Sequence, residues 1–135
     1  MKLVTVQEIM IPKENIITIS SLESVRNCLH IMQERKVKSI VVEKDNPHDA
    51  YGIVTYTNIL NAIFSQDGDM DLLNVYDIAT KPIIQLSANL NIKYAAQMML
   101  NNNVNRLIVT SNGELRGLLS MNDIVSVLMR FAQEE

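Results

Sequence analysis

Two short stretches of this chain combine a hydroxyl with a carboxylate or amide across a strand-to-helix turn. In Gly117-Leu118-Leu119-Ser120-Met121-Asn122-Asp123-Ile124 a serine stands three residues before an aspartate. In Gly52-Ile53-Val54-Thr55-Tyr56-Thr57-Asn58-Ile59 a threonine stands three before an asparagine. Two chemistries fit this spacing. One is a capping box, in which the hydroxyl caps the helix and the third helical residue reaches back to the cap amide. The other is ligand recognition. Free amides and the dipole at a helix N-terminus favour an anion, and a carboxylate can accept two hydrogen bonds from a vicinal sugar diol. Arg106 begins the strand beside the second turn. It is either a solvated strand-end charge or a phosphate clamp, because a guanidinium matches phosphate oxygens with two parallel hydrogen bonds. Ser39 and Asn58 hold the places of Arg106 and Asp123 in the earlier stretch. The two potential sites are therefore unequal, and the one with Asp123 and Arg106 is expected to be the better.

The elements that position these residues are a repeat. Val25, Cys28, Leu29 and Met32 recur as Ile92, Ala95, Ala96 and Met99. Val37 recurs as Val104, and Ile40-Val41-Val42 as Leu107-Ile108-Val109, at the same offset of 67. Beyond that strand the offset drops to 65 (Gly52 to Gly117), so the length change falls in the turn Glu43–Tyr51. Upstream, Val6-Gln7-Glu8-Ile9-Met10 resembles Val75-Tyr76-Asp77-Ile78-Ala79.

Each copy opens with an extended piece, Ile16–Ile19 or Ile83–Leu86. A helix follows, with apolar residues spaced for one face. Ser20 or Ser21, and Ser87, are the expected N-caps. Two aliphatic runs come next, Ser39–Val42 with Gly52–Thr55, and Arg106–Val109 with Gly117–Ser120. Their continuity suits strands covered on both faces. Asn112-Gly113 has a hairpin signature. A second helix closes each copy, with Ile59, Leu60, Ile63 and Phe64 or Ile124, Val125, Leu128 and Met129 on its apolar face. The expected fold is α+β: two β-α-β-β-α repeats, residues 1–66 and 67–135, packed around a pseudo-two-fold axis with clefts between them. The join Ser65–Asp71 is polar.

Bulk properties exclude several classes. The chain has 135 residues, is 47% hydrophobic and carries a net charge of −3, enough apolar content for a core. No basic stripe interleaved with aromatics appears, so nucleic acid is not the expected partner. No apolar run approaches the roughly 18 residues of a membrane span. The N-terminal stretch lacks a signal-peptide core, and Cys28 is the one cysteine. A cytoplasmic protein is expected. Asp67, Asp69 and Asp71 have the spacing of a calcium loop, but Gly68 is misplaced and Ile78 stands where the bidentate glutamate belongs. His30 and His48 lack partners at metal spacing, so no metal is expected. No nucleophile-base set, P-loop or dinucleotide fingerprint is present, so the chain is not expected to be an enzyme.

Taken together, Glu8-Ile9-Met10, Val104-Asn105-Arg106-Leu107-Ile108-Val109 and the two glycine-led stretches resemble a tandem pair of CBS domains, a Bateman module. The resemblance covers about residues 3–131. It implies a regulatory module that binds an adenosine nucleotide (AMP, ADP or ATP, with S-adenosylmethionine behind them) between the repeats and signals to a partner protein. No cofactor is required. By position it implies that Asp123 holds ribose, that Ser120 lies near ribose and phosphate, and that Arg106 reaches phosphate beside Asn105 and Asn122. Adenine would rest on Ile17, Val37 and Lys38. Thr55, Asn58 and Ile84 would form the weaker second site. It further implies a homodimer through the second helices, involving Ile59, Leu60, Ile63, Phe64, Val125, Leu128 and Met129, and a separate effector enzyme or transporter. Ile108 stands where proline is common in the family, and Asn58 where Asp is usual. The alternative is a ligand-free interaction or dimerisation module in which Ser120 and Asp123 only cap a helix.

Overall fold

The computed structural model describes residues 3–134. In chain order the elements are α1 (Val6–Ile9), β1 (Ile11–Pro12), β2 (Thr18–Ile19), α2 (Val25–Arg35), β3 (Ser39–Val42), β4 (Gly52–Thr55), α3 (Tyr56–Leu60), α4 (Val75–Ile78), β5 (Gln85–Leu86), α5 (Ile92–Asn102), β6 (Arg106–Ser111), β7 (Glu114–Ser120) and α6 (Met121–Ala132). The fold is α+β, with a β-α-β-β-α pattern in each repeat. The chain forms two compact units. One is contiguous, Ile17–Ile83. The other is split, joining the residues up to Ile16 with those from Ile84 onward. This division in space cuts across the division of the sequence into residues 1–66 and 67–135.

In the contiguous unit β3 lies between β2, which it pairs in parallel, and β4, which it pairs antiparallel. The split unit has the same arrangement in β5, β6 and β7. It gains a fourth strand, because β1 pairs antiparallel with the free edge of β7. Ile40, Val41 and Val42, like Leu107, Ile108 and Val109, are almost wholly buried. α2 buries Val25, Cys28 and Met32, and α5 buries Ile92, Ala95 and Met99. That is one stripe of a 3.6-residue period. Both helices end on a residue in the left-handed region, Lys36 and Asn103, which frees the last turn to close on itself. The hairpin between β6 and β7 has positive φ at both Asn112 and Gly113, as a type I′ turn requires.

Three expectations need correction. The caps of α2 and α5 are Ser24 and Asn91, whose side chains accept from Asn27 N (3.0 Å) and Lys93 N (2.9 Å). Ser20 and Ser87 instead accept from Leu22 N and Asn89 N within the preceding turn, and Ser21 is buried and donates to Asp45. The second helix of repeat 1 is regular only to Leu60; Asn61–Ser65 widens into a π-turn. Finally, Ile59 is a core residue (6% exposed), not part of a surface patch. The exposed apolar side chains on these helices are Leu60 and Phe64 on one, and Val125, Leu128 and Met129 on the other.

The resemblance between Val6–Met10 and Val75–Ala79 marks two equivalent short helices, each docked on the strands of the other repeat. Val6 N donates to Leu90 O and Ile92 N to Val4 O (2.8 and 2.9 Å). At the matching places Val75 N donates to Glu23 O and Val25 N to Leu73 O, at the same distances. Val6 and Val75 are both 0% exposed and sit in the cores of the split and contiguous units. Burying such a side chain contributes roughly 1.5–3 kcal/mol, against roughly 0.5–1.5 for a hydrogen bond. The valine therefore anchors each segment and the main-chain bonds set its register.

The longer turn of repeat 1 is organised by charge. Asp49 accepts from Asp45 N at 2.7 Å and pairs with Lys81 Nζ at 2.5 Å. Lys81 also lies 3.5 Å from Asp45. The Asp45 amide, then the Lys81 ammonium, hold the Asp49 carboxyl down at about 2. A depressed carboxyl stabilises the fold above its ordinary value near 3.8, and that contribution is lost as pH falls through about 2. Between pH 4 and 2 the melting temperature should therefore fall more steeply for the natural chain than for Asp49→Asn, as thermal melts by circular dichroism at half-unit intervals would show. Burial pushes the Cys28 thiol up to about 11. At pH 8 a disulfide reagent should leave it unmodified until denaturant is added.

Candidate functional site

The split unit gathers five of the sequence-derived residues at one junction. β7 ends at Ser120, α6 starts at Met121, and Ser120 lies directly across the antiparallel ladder from Arg106. Asn105 O accepts from Met121 N at 2.9 Å, and Asn105 Oδ1 accepts from Arg106 Nη1 at 3.1 Å. Asn105, Arg106, Ser120, Asn122 and Asp123 are thus held by one strand pair and one helix start. The capping box is complete. Asp123 Oδ2 accepts from Ser120 N (3.0 Å) and Ser120 Oγ (2.8 Å), while Ser120 Oγ accepts from Asp123 N (3.2 Å). These bonds engage one carboxylate oxygen; Oδ1 takes no part in the box. Asn122 is exposed, and both Asp123 and Arg106 are half-buried. α6 runs for 12 residues, about 18 Å at 1.5 Å per residue, so its N-terminus carries a developed positive dipole end.

In the contiguous unit the same junction is built differently. Thr55 N and Thr55 Oγ1 donate to Asn58 Oδ1 at 2.8 and 2.9 Å. Asn58 Nδ2 donates to Ile78 O at 2.9 Å and to Thr80 Oγ1 at 3.1 Å. The backbone donor of Thr55 fixes which end of the amide is oxygen, so the NH2 end must face Ile78. Every polar atom of Asn58 is thereby used inside its own unit. The helix it opens is only five residues before the π-turn, and Ser39 stands where the other junction has Arg106, across from Thr55.

The remaining candidates are placed as follows. Ile17 and Val37 pack against the core of the contiguous unit, where Ile17 O accepts from Val41 N, and Lys38 is exposed just before β3. Ile84 belongs to the split unit, where its carbonyl accepts from Ile108 N, and is not in the same unit as Thr55 and Asn58. His30 and His48 are exposed and Cys28 is buried. Among the described residues no cluster of His, Cys, Asp and Glu could hold a metal. No helix among them is long and apolar enough to cross a membrane. Sequence reasoning did not find the Asn58 amide bond to Ile78, although Asn in place of Asp was the signal for it.

A family model for the CBS domain matches the chain twice, over residues 6–65 and 75–130. The chain belongs to the CBS-domain family. CBS pairs are in general regulatory rather than catalytic. An uncharacterized protein of Methanopyrus kandleri is 31% identical over 94% of this CBS pair, which spans 64% of that protein. The chain spans between 44 and 64% of the length of four curated relatives that it matches. Among solved structures it is similar to a hexameric CBS-CP12 protein from bloom-forming cyanobacteria, at a TM-score of 0.87 and 28% identity, covering 99% of this chain and 77% of that one. It is also similar to CBSX2 in complex with AMP, at 0.77 and 25%, covering 96% and 98%.

The two junctions of this CBS pair should respond differently to matched changes. Ser120→Ala removes a cap and should cost roughly 0.5–2 kcal/mol. Asn58→Asp swaps a donor for an acceptor opposite Ile78 O and should cost roughly 1–3 kcal/mol. Urea unfolding of the two variants beside the natural chain measures both.

Proposed function

We propose that this CBS pair is a regulatory sensor that binds one adenosine nucleotide at the Ser120–Asp123 junction. The observation that carries the reading is the asymmetry of the junctions. At Asn58 each polar atom is spent within the fold. At Asp123 one carboxylate oxygen stays outside the capping box, Arg106 lies across the ladder from Ser120, and a 12-residue helix begins. A carboxylate acceptor suits a ribose diol, and a guanidinium with a helix N-terminus suits phosphate. The similarity to CBSX2, whose structure contains AMP, supports an adenine nucleotide as the class to test first. ADP and ATP rank with AMP, and S-adenosylmethionine, lacking phosphate, ranks behind them. Binding transmits a signal only if the nucleotide prefers one of two states of the protein. The recipient in this reading is a separate effector enzyme or transporter.

A second reading, an interaction module that needs no ligand, is favoured by the apolar helix surfaces. Leu60 and Phe64 are exposed one helical turn apart, and Val125, Leu128 and Met129 are exposed together on the other helix; contiguous rather than scattered apolar side chains mark interaction surfaces. Homodimerisation through Leu60 and Phe64 or Leu128 and Met129 belongs to this reading and is compatible with the first.

A thermal-shift series with AMP, ADP, ATP and S-adenosylmethionine separates the two. A nucleotide at 100 times its dissociation constant should add roughly 2.7 kcal/mol of stability. Asp123→Ala and Arg106→Ala should abolish the increment, whereas Asn58→Ala should keep it on a lowered baseline. No increment with any of the four compounds would leave the interaction module as the standing reading.

A further inference from the structure

The two segments that open the repeats are docked by matching bonds but are not equally fastened. Residues 4–11 lie on the split unit and residues 73–80 on the contiguous unit, each with its valine in the core and its amides bound to the loop before a helix. The second carries two further bonds, from Asn58 Nδ2 to Ile78 O and to Thr80 Oγ1. Their counterparts in the split unit are Asp123, Ile9 and Ile11. An aspartate carboxylate accepts and does not donate, so it has nothing to give the Ile9 carbonyl. Isoleucine has no hydroxyl to replace Thr80. Composition alone therefore removes both fastenings from the split unit.

The first segment has a compensating contact, but a weak one. β1 pairs with β7 at Ile11↔Leu118 and Pro12↔Gly117, where the contiguous unit has the single bridge Ile53↔Thr80. Neighbouring antiparallel pairs alternate between hydrogen-bonded and not, and Pro12, with no N–H, can stand only at the latter, so the second pair adds no main-chain bond. Both approaches depend on a glycine in the strand: a Cβ at Gly117 would lie 2.9 Å from Ile11 O, and one at Gly52 would lie 3.0 Å from Thr80 O.

We propose that residues 4–12 form a releasable strap over the edge of β7, while residues 73–80 are a fixed one. The residue at the third position of the helix decides which: asparagine at 58 fastens its strap, and aspartate at 123 leaves its strap free to open. Opening bares the main-chain groups of the β7 edge, a surface able to pair with another strand.

Amide hydrogen exchange by NMR on the full chain, without nucleotide, tests this, and its result does not depend on whether a nucleotide binds. The Val6 and Gln7 amides should exchange at least about tenfold faster than Val75 and Tyr76. Asp123→Asn supplies the missing donor and should slow Val6 and Gln7 several-fold. Asn58→Asp should bring Val75 and Tyr76 to the rate of the first strap. If Asn58→Asp fails to fold, Thr80→Val removes one fastening with the shape kept and should accelerate the same two amides. Equal exchange of the two straps in the natural chain overturns the proposal. So does an Asp123→Asn variant in which Val6 and Gln7 are unchanged.

Discussion

Everything in this molecule is arranged about the hydrogen bonds that close a strand onto a helix at Ser120–Asp123 and at Thr55–Asn58. Each box fixes where a strand stops and at what angle a helix leaves it. The ladder partner of each box, Arg106 or Ser39, follows from register rather than from any contact of its own. The glycine three residues before each box allows the opening segment of the other repeat to run close beside the strand. A hydroxyl and a carboxylate or amide, spaced by two residues, thus set the strand end, the helix start and the neighbouring segment at once.

The two boxes share one geometry, and at the third helical residue they differ in one terminal atom, nitrogen in Asn58 and oxygen in Asp123. In asparagine the oxygen serves the cap and the nitrogen serves a distant carbonyl, so the junction is self-contained. In aspartate both terminal atoms are acceptors and the cap needs one. The other is left for chemistry that the fold does not supply. Arg106 across from Ser120 and the longer helix on that side add positive potential to the same place. Under the proposed function, closure in one half and recognition in the other follow from asparagine at 58 against aspartate at 123, with Ser39 against Arg106 beside them.

Much of this was legible in the sequence because repeats report local pattern twice. The offset of 67 placed α2 against α5 and β3 against β6, and the drop to 65 showed that the loop between β3 and β4 is longer than its counterpart. The Asn112-Gly113 turn needed only its dipeptide. What escaped was non-local or too short to show a period. α1 and α4 have four residues each, about one turn, and no spacing rule identifies them. Docking of residues 4–11 beside β7 pairs Ile11 with Leu118, and only a fold brings those together. Ser20 and Ser87 looked like caps, but the serine or asparagine four residues later won because it, and not they, precedes the first helical residue. Ile59 belongs to the core rather than to a surface patch because the fourth residue after each cap faces inward, as its counterpart Ile124 shows on a regular helix. At the junction, residue types were readable; which atoms of Asn58 and Asp123 were already committed was not, since Ile78 lies twenty residues away.

The account rests on one open junction per chain, and a calorimetric titration counts such junctions directly. AMP titrated into the full chain should bind with one equivalent per chain, and the heat should vanish in Asp123→Ala. Two equivalents per chain would show that the Asn58 junction is open as well, and no heat from AMP, ADP or ATP would show that neither is. Either result contradicts the division of labour between the two halves.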